Sequence, residues 1–162
     1  MNVTIPIPNE AALNELAEKI GRLFKGGEIL ELVGDVGAGK TTFVKAVARG
    51  LEVDEVVQSP TFTISRLYQA RNELELHHYD FYRLQEPGVL RASLAESLMQ
   101  PNAITALEWD DSVRDILPIE RTITLNINYV GTDAGARELQ LSMPDALAPF
   151  MQSLLANKGS IA

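Results

Sequence analysis

Gly34-Asp35-Val36-Gly37-Ala38-Gly39-Lys40-Thr41, with Thr42 following, satisfies G-x-x-x-x-G-K-[ST] at every fixed position. The chemistry of such a stretch is the holding of phosphate. Its glycines let the backbone bend until consecutive N–H groups point inward at an anion. A lysine at the seventh position reaches the β and γ phosphates, and the hydroxyl after it ligates Mg²⁺. Gly34, Asp35, Val36, Gly37, Ala38, Gly39, Lys40, Thr41 and Thr42 are therefore the candidate cofactor-binding residues. The bland alternative is a glycine-rich turn without a ligand.

Holding phosphate is not yet transferring it, which also needs a carboxylate for the hydrated metal and a group that orders the attacking atom. Asp80 is the best candidate for the first role. It ends the run Leu74-Glu75-Leu76-His77-His78-Tyr79-Asp80, whose alternation puts Leu74, Leu76, His78 and Asp80 on one side of a strand. Glu108 follows a second apolar run, Ile104 to Leu107, and is placed to orient water, take a proton or join the metal site. Thr41, Asp80 and Glu108 are thus the candidate Mg²⁺ residues. Thr61, on a loop held by Pro60, offers a hydroxyl to Mg²⁺ or the γ-phosphate. Asp80, Glu108 and Thr61 make up the candidate catalytic set. Arg83 suits a phosphate or a partner. Trp109, the one tryptophan, suits the core, a lid or a contact anchor. His78 reads as an ordinary strand residue, and Arg137 as an ordinary strand arginine with a base-pocket role as its alternative.

These groups need a frame, and the flanks of the glycine loop supply its start. Ile29, Leu30, Leu32 and Val33 form a short apolar strand entering the loop, and Phe43, Val44, Val47, Ala48 and Leu51 repeat at helical spacing after it. The opening helix adds roughly half a positive charge at its N-terminus, beside the phosphates. Upstream, Val3, Ile5 and Ile7 alternate as a strand. A helix capped by Asn9 follows, with Leu13, Leu16, Ala17, Ile20, Leu23 and Phe24 on one face, before Gly26-Gly27 stops it. Downstream, Thr61 to Tyr68 and Glu73 to Asp80 alternate about an Arg71-Asn72 turn. Pro87-Gly88 opens a helix through Met99, and Arg121 to Val130 and Glu138 to Met143 flank a Gly131–Gly135 turn. Asp145 to Leu155 is expected to be an amphipathic helix. This order predicts an α/β, P-loop NTPase-like three-layer fold with a mixed sheet, parallel at its centre with antiparallel additions.

Composition narrows the function. The chain of 162 residues, 46% hydrophobic, suits one domain over residues 1–156 with a loose tail at 157–162. Fourteen basic against 22 acidic residues, a net charge of −8, disfavour broad direct binding to nucleic acid. The absence of cysteine removes disulfides and thiolate metal sites, and His77 and His78 alone do not suggest zinc. Without an apolar leader or a membrane-length stretch, a cytoplasmic location is expected.

Four blocks stand in order: Gly34 to Thr42, then Ser59-Pro60-Thr61-Phe62-Thr63, then His78-Tyr79-Asp80-Phe81-Tyr82-Arg83-Leu84, then Glu108-Trp109. Together they resemble the TsaE (YjeE) family, small bacterial P-loop ATPases needed for threonylcarbamoyladenosine modification of tRNA. The resemblance runs from about the first helix to the last hairpin. It implies a slow ATPase that does not itself attach the threonylcarbamoyl group but acts on the TsaD–TsaB pair, reaching tRNA only through that complex. It also implies that Lys40 and Thr41 bind phosphate and Mg²⁺ with Thr42 beside them. Thr61 would be switch-like, Asp80 the metal-side carboxylate, and Glu108 and Trp109 required for function. Two departures stand out: Arg91-Ala92-Ser93-Leu94 lies where the family usually shows a glycine, and Asp110-Asp111 where proline often follows the Glu-Trp pair.

The competing reading is a small-molecule or nucleotide kinase, which shares the loop but needs an acceptor pocket and usually an arginine-rich lid. The nine arginines here are scattered singly. A GTP-operated switch would carry an Asn-Lys-x-Asp segment, whereas Asn157-Lys158-Gly159-Ser160 lacks the aspartate, so ATP is the expected nucleotide. A monomer is favoured.

Overall fold

The computed structural model describes residues 1–35, 37–58, 65–81, 88–108, 111–131 and 135–156, without the side chains of residues 111 and 112. In chain order the elements are β1 (Asn2–Ile7), α1 (Glu10–Leu23), β2 (Ile29–Val33), α2 (Lys40–Gly50), β3 (Ser65–Gln69), β4 (Glu75–Asp80), α3 (Gly88–Leu98), β5 (Ala103–Glu108), β6 (Thr122–Tyr129), β7 (Arg137–Ser142) and α4 (Ala148–Leu155). Short 3₁₀ turns lie at Arg71–Glu73, Asp111–Ile116, Ile119–Arg121 and Asp145–Leu147.

Local chemistry explains where the first helices begin and end. Asn9 sits in extended backbone and its side-chain oxygen accepts from the Ala12 N–H at 2.9 Å, so α1 starts there. Leu13, Leu16, Ala17 and Ile20 follow at helical spacing and are all buried. The stretch Asp145–Leu155, expected as one helix, is instead a 3₁₀ turn followed by α4. Pro149 is the cause. Its ring would meet the carbonyl of residue 145 inside a continuous helix, whereas in the first turn of a new one its missing N–H is harmless.

The strands form one sheet in the order β1-β7-β6-β2-β5-β4-β3. The central strands β6, β2, β5 and β4 are parallel, and β3, β7 and β1 join antiparallel. The mixed sheet expected from the sequence is the one observed. Strands covered on both faces, β2 and β5 above all, are buried nearly throughout, while β6 and β7 alternate because helices cover only one of their faces.

On the first face, α1, α2 and α4 pack against Leu30, Leu32, Leu76, Ile104, Ile123, Leu125 and Leu139. On the second, α3 and the Asp111–Ile116 turn cover Ile29, Tyr79 and Leu107 in a smaller cluster with Leu90, Leu94 and Val113. The closest helix contact is backbone to backbone. A Cβ added to Gly50 would stand 2.1 Å from the Glu18 carbonyl oxygen, so only glycine allows α1 and α2 to meet there. Arg71 then ties their far ends together, donating to the carbonyls of Gly21, Arg22, Phe24 and Gly50 at 2.8 to 3.3 Å. Among the described residues no helix is long and apolar enough to cross a membrane.

Candidate functional site

Parallel strands β2, β4, β5 and β6 all end on the same side of the molecule, the edge where open α/β sheets place their ligands. The glycine loop leaves β2 there. Gly39 takes φ 110°, ψ 18°, a left-handed conformation that favours glycine, and its carbonyl accepts from the Phe43 N–H at 2.8 Å as α2 opens. The first N–H groups of α2 thus face the loop with no side chain capping them. The Lys40 ammonium lies back across the loop on the carbonyls of Gly34, at 2.6 Å, and Asp35, at 2.9 Å. That leaves one of its three N–H donors for an anion. The Ala38 N–H bonds the Asp35 carbonyl at 3.0 Å, and the Tyr129 hydroxyl donates to the Gly37 carbonyl, tying the loop to the end of β6.

Two carboxylates stand side by side at the strand ends. Asp80 and Glu108 are register partners on β4 and β5, and β5 is the strand next to β2. Glu108 is buried and its Oε1 accepts from the Thr41 hydroxyl at 2.8 Å. Asp80 is half-buried, one strand further from the loop. Thr42 is half-buried at the start of α2. Among the described residues no group of three or more His, Cys, Asp or Glu side chains is arranged for a metal. Mg²⁺ does not need one, since it is commonly held by one or two protein oxygens, phosphate oxygens and water. Thr41 and Glu108 meet that requirement.

Two residues read from the sequence as ordinary strand residues, Arg137 with a base-pocket role as its alternative, stand beside this site. His78 is fully buried, and its Nε2 lies 2.9 Å from Glu108 Oε1. Arg137, read as an ordinary strand arginine, is 9% exposed, with Nε and Nη1 buried and unbonded among the described residues. Its guanidinium sits 5.3 Å from the centre of the Tyr129 ring and packs beside Gly39. It lines a cavity of about 720 Å³ with Pro6, Ile7, Pro8, Asn9 and Val130. The usable signal was the hairpin: closing β6 on β7 pairs Tyr129 with Arg137 and brings both to the end of β6, where the loop lies. Of the remaining candidates, Val36, Thr61, Arg83 and Trp109 lie outside the described residues.

Comparison with known proteins bears on this arrangement. The family model described as "Threonylcarbamoyl adenosine biosynthesis protein TsaE" matches residues 7–139. The tRNA threonylcarbamoyladenosine biosynthesis protein TsaE of Treponema pallidum is 35% identical over 76% of this chain and 87% of its own length. The protein of the same name from Haemophilus influenzae is 28% identical over 96% of this chain and 99% of its own. Among solved structures, the crystal structure of Bacillus subtilis YdiB superposes with a TM-score of 0.73 at 27% identity, covering 96% of this chain and 95% of that one. Blocks, fold and family match agree, and the chain belongs to the TsaE family.

Proposed function

We propose that this protein binds ATP with Mg²⁺, hydrolyses it slowly, and serves threonylcarbamoyladenosine modification of tRNA by acting on a TsaD–TsaB transferase complex. The observation that carries the reading is the hydrogen bond from Thr41 to Glu108, 2.8 Å long, which joins the first turn of the phosphate-loop helix to a carboxylate on the neighbouring strand. Phosphoryl chemistry needs that pairing of an Mg²⁺-ligating hydroxyl with an acidic strand end. Lys40 and the N–H groups of Gly37, Gly39, Lys40 and Thr41 hold the phosphates, Thr41 and Glu108 the hydrated Mg²⁺, and Asp80 stands beside them to order water. The bound metal would supply charge neutralisation on the phosphates.

The rest of the nucleotide falls to the cavity between β1, α1 and the β6–β7 hairpin. Its walls are mostly apolar, and Arg137, which lines it and packs beside Gly39, has Nε and Nη1 without partners among the described residues, donors suited to an acceptor-rich base or ribose. Thr61 as a switch-like hydroxyl, and Arg83 and Trp109 as lid or partner residues, complete the proposal. The net charge of −8 fits a protein that reaches tRNA through partners with basic surfaces, working as a cytoplasmic monomer between encounters.

The test is ATP hydrolysis by the purified protein, alone and with TsaB, TsaD and tRNA, for wild type, Lys40→Ala and Glu108→Ala. A low basal rate that rises with the partners and falls at least about 100-fold in both variants is expected. Stoichiometric phosphorylation of a small acceptor would replace this reading with a kinase.

A further inference from the structure

His78 holds no place in the nucleotide site as proposed above, yet it is fully buried against that site's carboxylate. On β4 it stands opposite Ala106 of β5, two residues before Glu108 and on the same face. Glu108 Oε1 receives both contacts, Thr41 Oγ1 at 2.8 Å and His78 Nε2 at 2.9 Å, and Oε2 receives neither. An ionised carboxylate oxygen has two lone pairs and no proton, so both neighbours donate to it. His78 therefore carries a proton on Nε2. Its Nδ1 is buried and meets no partner among the described residues.

Resting on the nucleotide reading, we infer that His78 is a positioning residue for the metal site: it pins Oε1 of Glu108 against Thr41 and leaves Oε2 as the oxygen that serves the hydrated cation. Without it, Glu108 keeps one tether, from Thr41, whose own oxygen must turn to the metal. The imidazole holds the same oxygen from β4, and because β4 is paired on both edges in the sheet, that hold does not depend on Thr41. The effect is on the metal-bound complex, and the phosphate loop itself is untouched.

The experiment compares wild type, His78→Leu, which fills the space without a donor, and His78→Gln, whose amide N–H replaces Nε2–H. Affinity for N-methylanthraniloyl-ADP is titrated in EDTA and in Mg²⁺, and Mn²⁺ binding to the ADP complex is read by electron paramagnetic resonance. Expected are equal nucleotide affinities in EDTA within about twofold, a loss of about tenfold in metal affinity for His78→Leu, and recovery of most of it in His78→Gln. Unchanged metal affinity in His78→Leu, or no recovery in His78→Gln, overturns the inference. Wild type that binds no nucleotide in either condition overturns the underlying reading as well, and is distinguishable from the first failure. Should His78→Leu not fold, the ¹⁵N chemical shifts of His78 in the wild-type protein decide: a protonated Nε2 supports the inference, and a bare Nε2 overturns it.

Discussion

On the face covered by α1, α2 and α4 the strands present Leu30, Leu32, Leu76, Ile104, Ile123 and Leu125; on the other face the same strands present Glu31, Thr105, His77 and Thr124. The first face is sealed by hydrocarbon until the strand ends, and only there do His78, Asp80, Glu108 and Arg137 appear. The second face interleaves a smaller apolar cluster around Ile29, Tyr79 and Leu107 with buried polar side chains that are held by specific partners. Glu31 is buried and takes Arg114 Nε at 2.9 Å and the Thr124 hydroxyl at 2.8 Å. Glu75, His77, Ser97 and Tyr79 form a chain of contacts of 3.0, 2.7 and 2.6 Å that docks α3 on β4. The difference teaches a division of labour. A large apolar core backs the half of the molecule that carries the glycine loop, while a smaller apolar cluster and a set of hydrogen bonds together fasten the other layer.

Substitutions can break that contrast. The largest effect is expected on the apolar side: Ile20→Ala, at a fully buried position of α1, removes packing from both α2 and the sheet and should cost about 2–5 kcal/mol in urea unfolding. On the polar side, Arg114→Met leaves the buried Glu31 carboxylate with the Thr124 hydroxyl as its remaining partner. It should cost about 1–3 kcal/mol, and the double variant Arg114→Met/Glu31→Leu should return to within about 1 kcal/mol of wild type, since a replaced pair is cheaper than a broken one. If the double variant stayed as unstable as the single one, this face would depend on its charges after all.

The smallest effect is in acid. The hydrogen bond from His77, set against partial burial, holds the Glu75 carboxyl below its ordinary value of 4.5. A carboxyl depressed in the folded state stabilises it above the unfolded value, and that contribution is lost as pH falls through the folded one. Glu75→Gln should therefore flatten the fall in thermal midpoint below about pH 4.5 and leave the slope near neutrality unchanged. An identical acid limb in the variant would remove Glu75 from the account.

How much of this was legible beforehand follows the same division. Features encoded within a few residues were readable: the Asn9 cap, the glycine loop between Ile29–Val33 and its helix, the alternation of β6 and β7. Strand order was not, because nothing local says that β5 inserts between β2 and β4. For that reason Asp80 looked like the foremost metal-side carboxylate, while the structure brings Glu108 into contact with Thr41 and sets Asp80 beside it. His78 and Arg137 read first as ordinary strand residues for the same cause, since each owes its surroundings to a neighbouring strand. The break at Pro149 was the exception, a local rule that the apolar spacing of Asp145–Leu155 hid.

The Arg71 clamp has a mechanical consequence. Helices α1 and α2 run side by side in the same direction, since Leu13 lies beside Gly39 at one end and Gly21 beside Val47 and Gly50 near the other. One guanidinium binds four carbonyls at the far end. The two helices are thereby tied to each other at the end away from the glycine loop. With backbone packed on backbone at Gly21 and Gly50 and one guanidinium across their ends, α1 and α2 resist sliding past each other, so a displacement of one must carry the other.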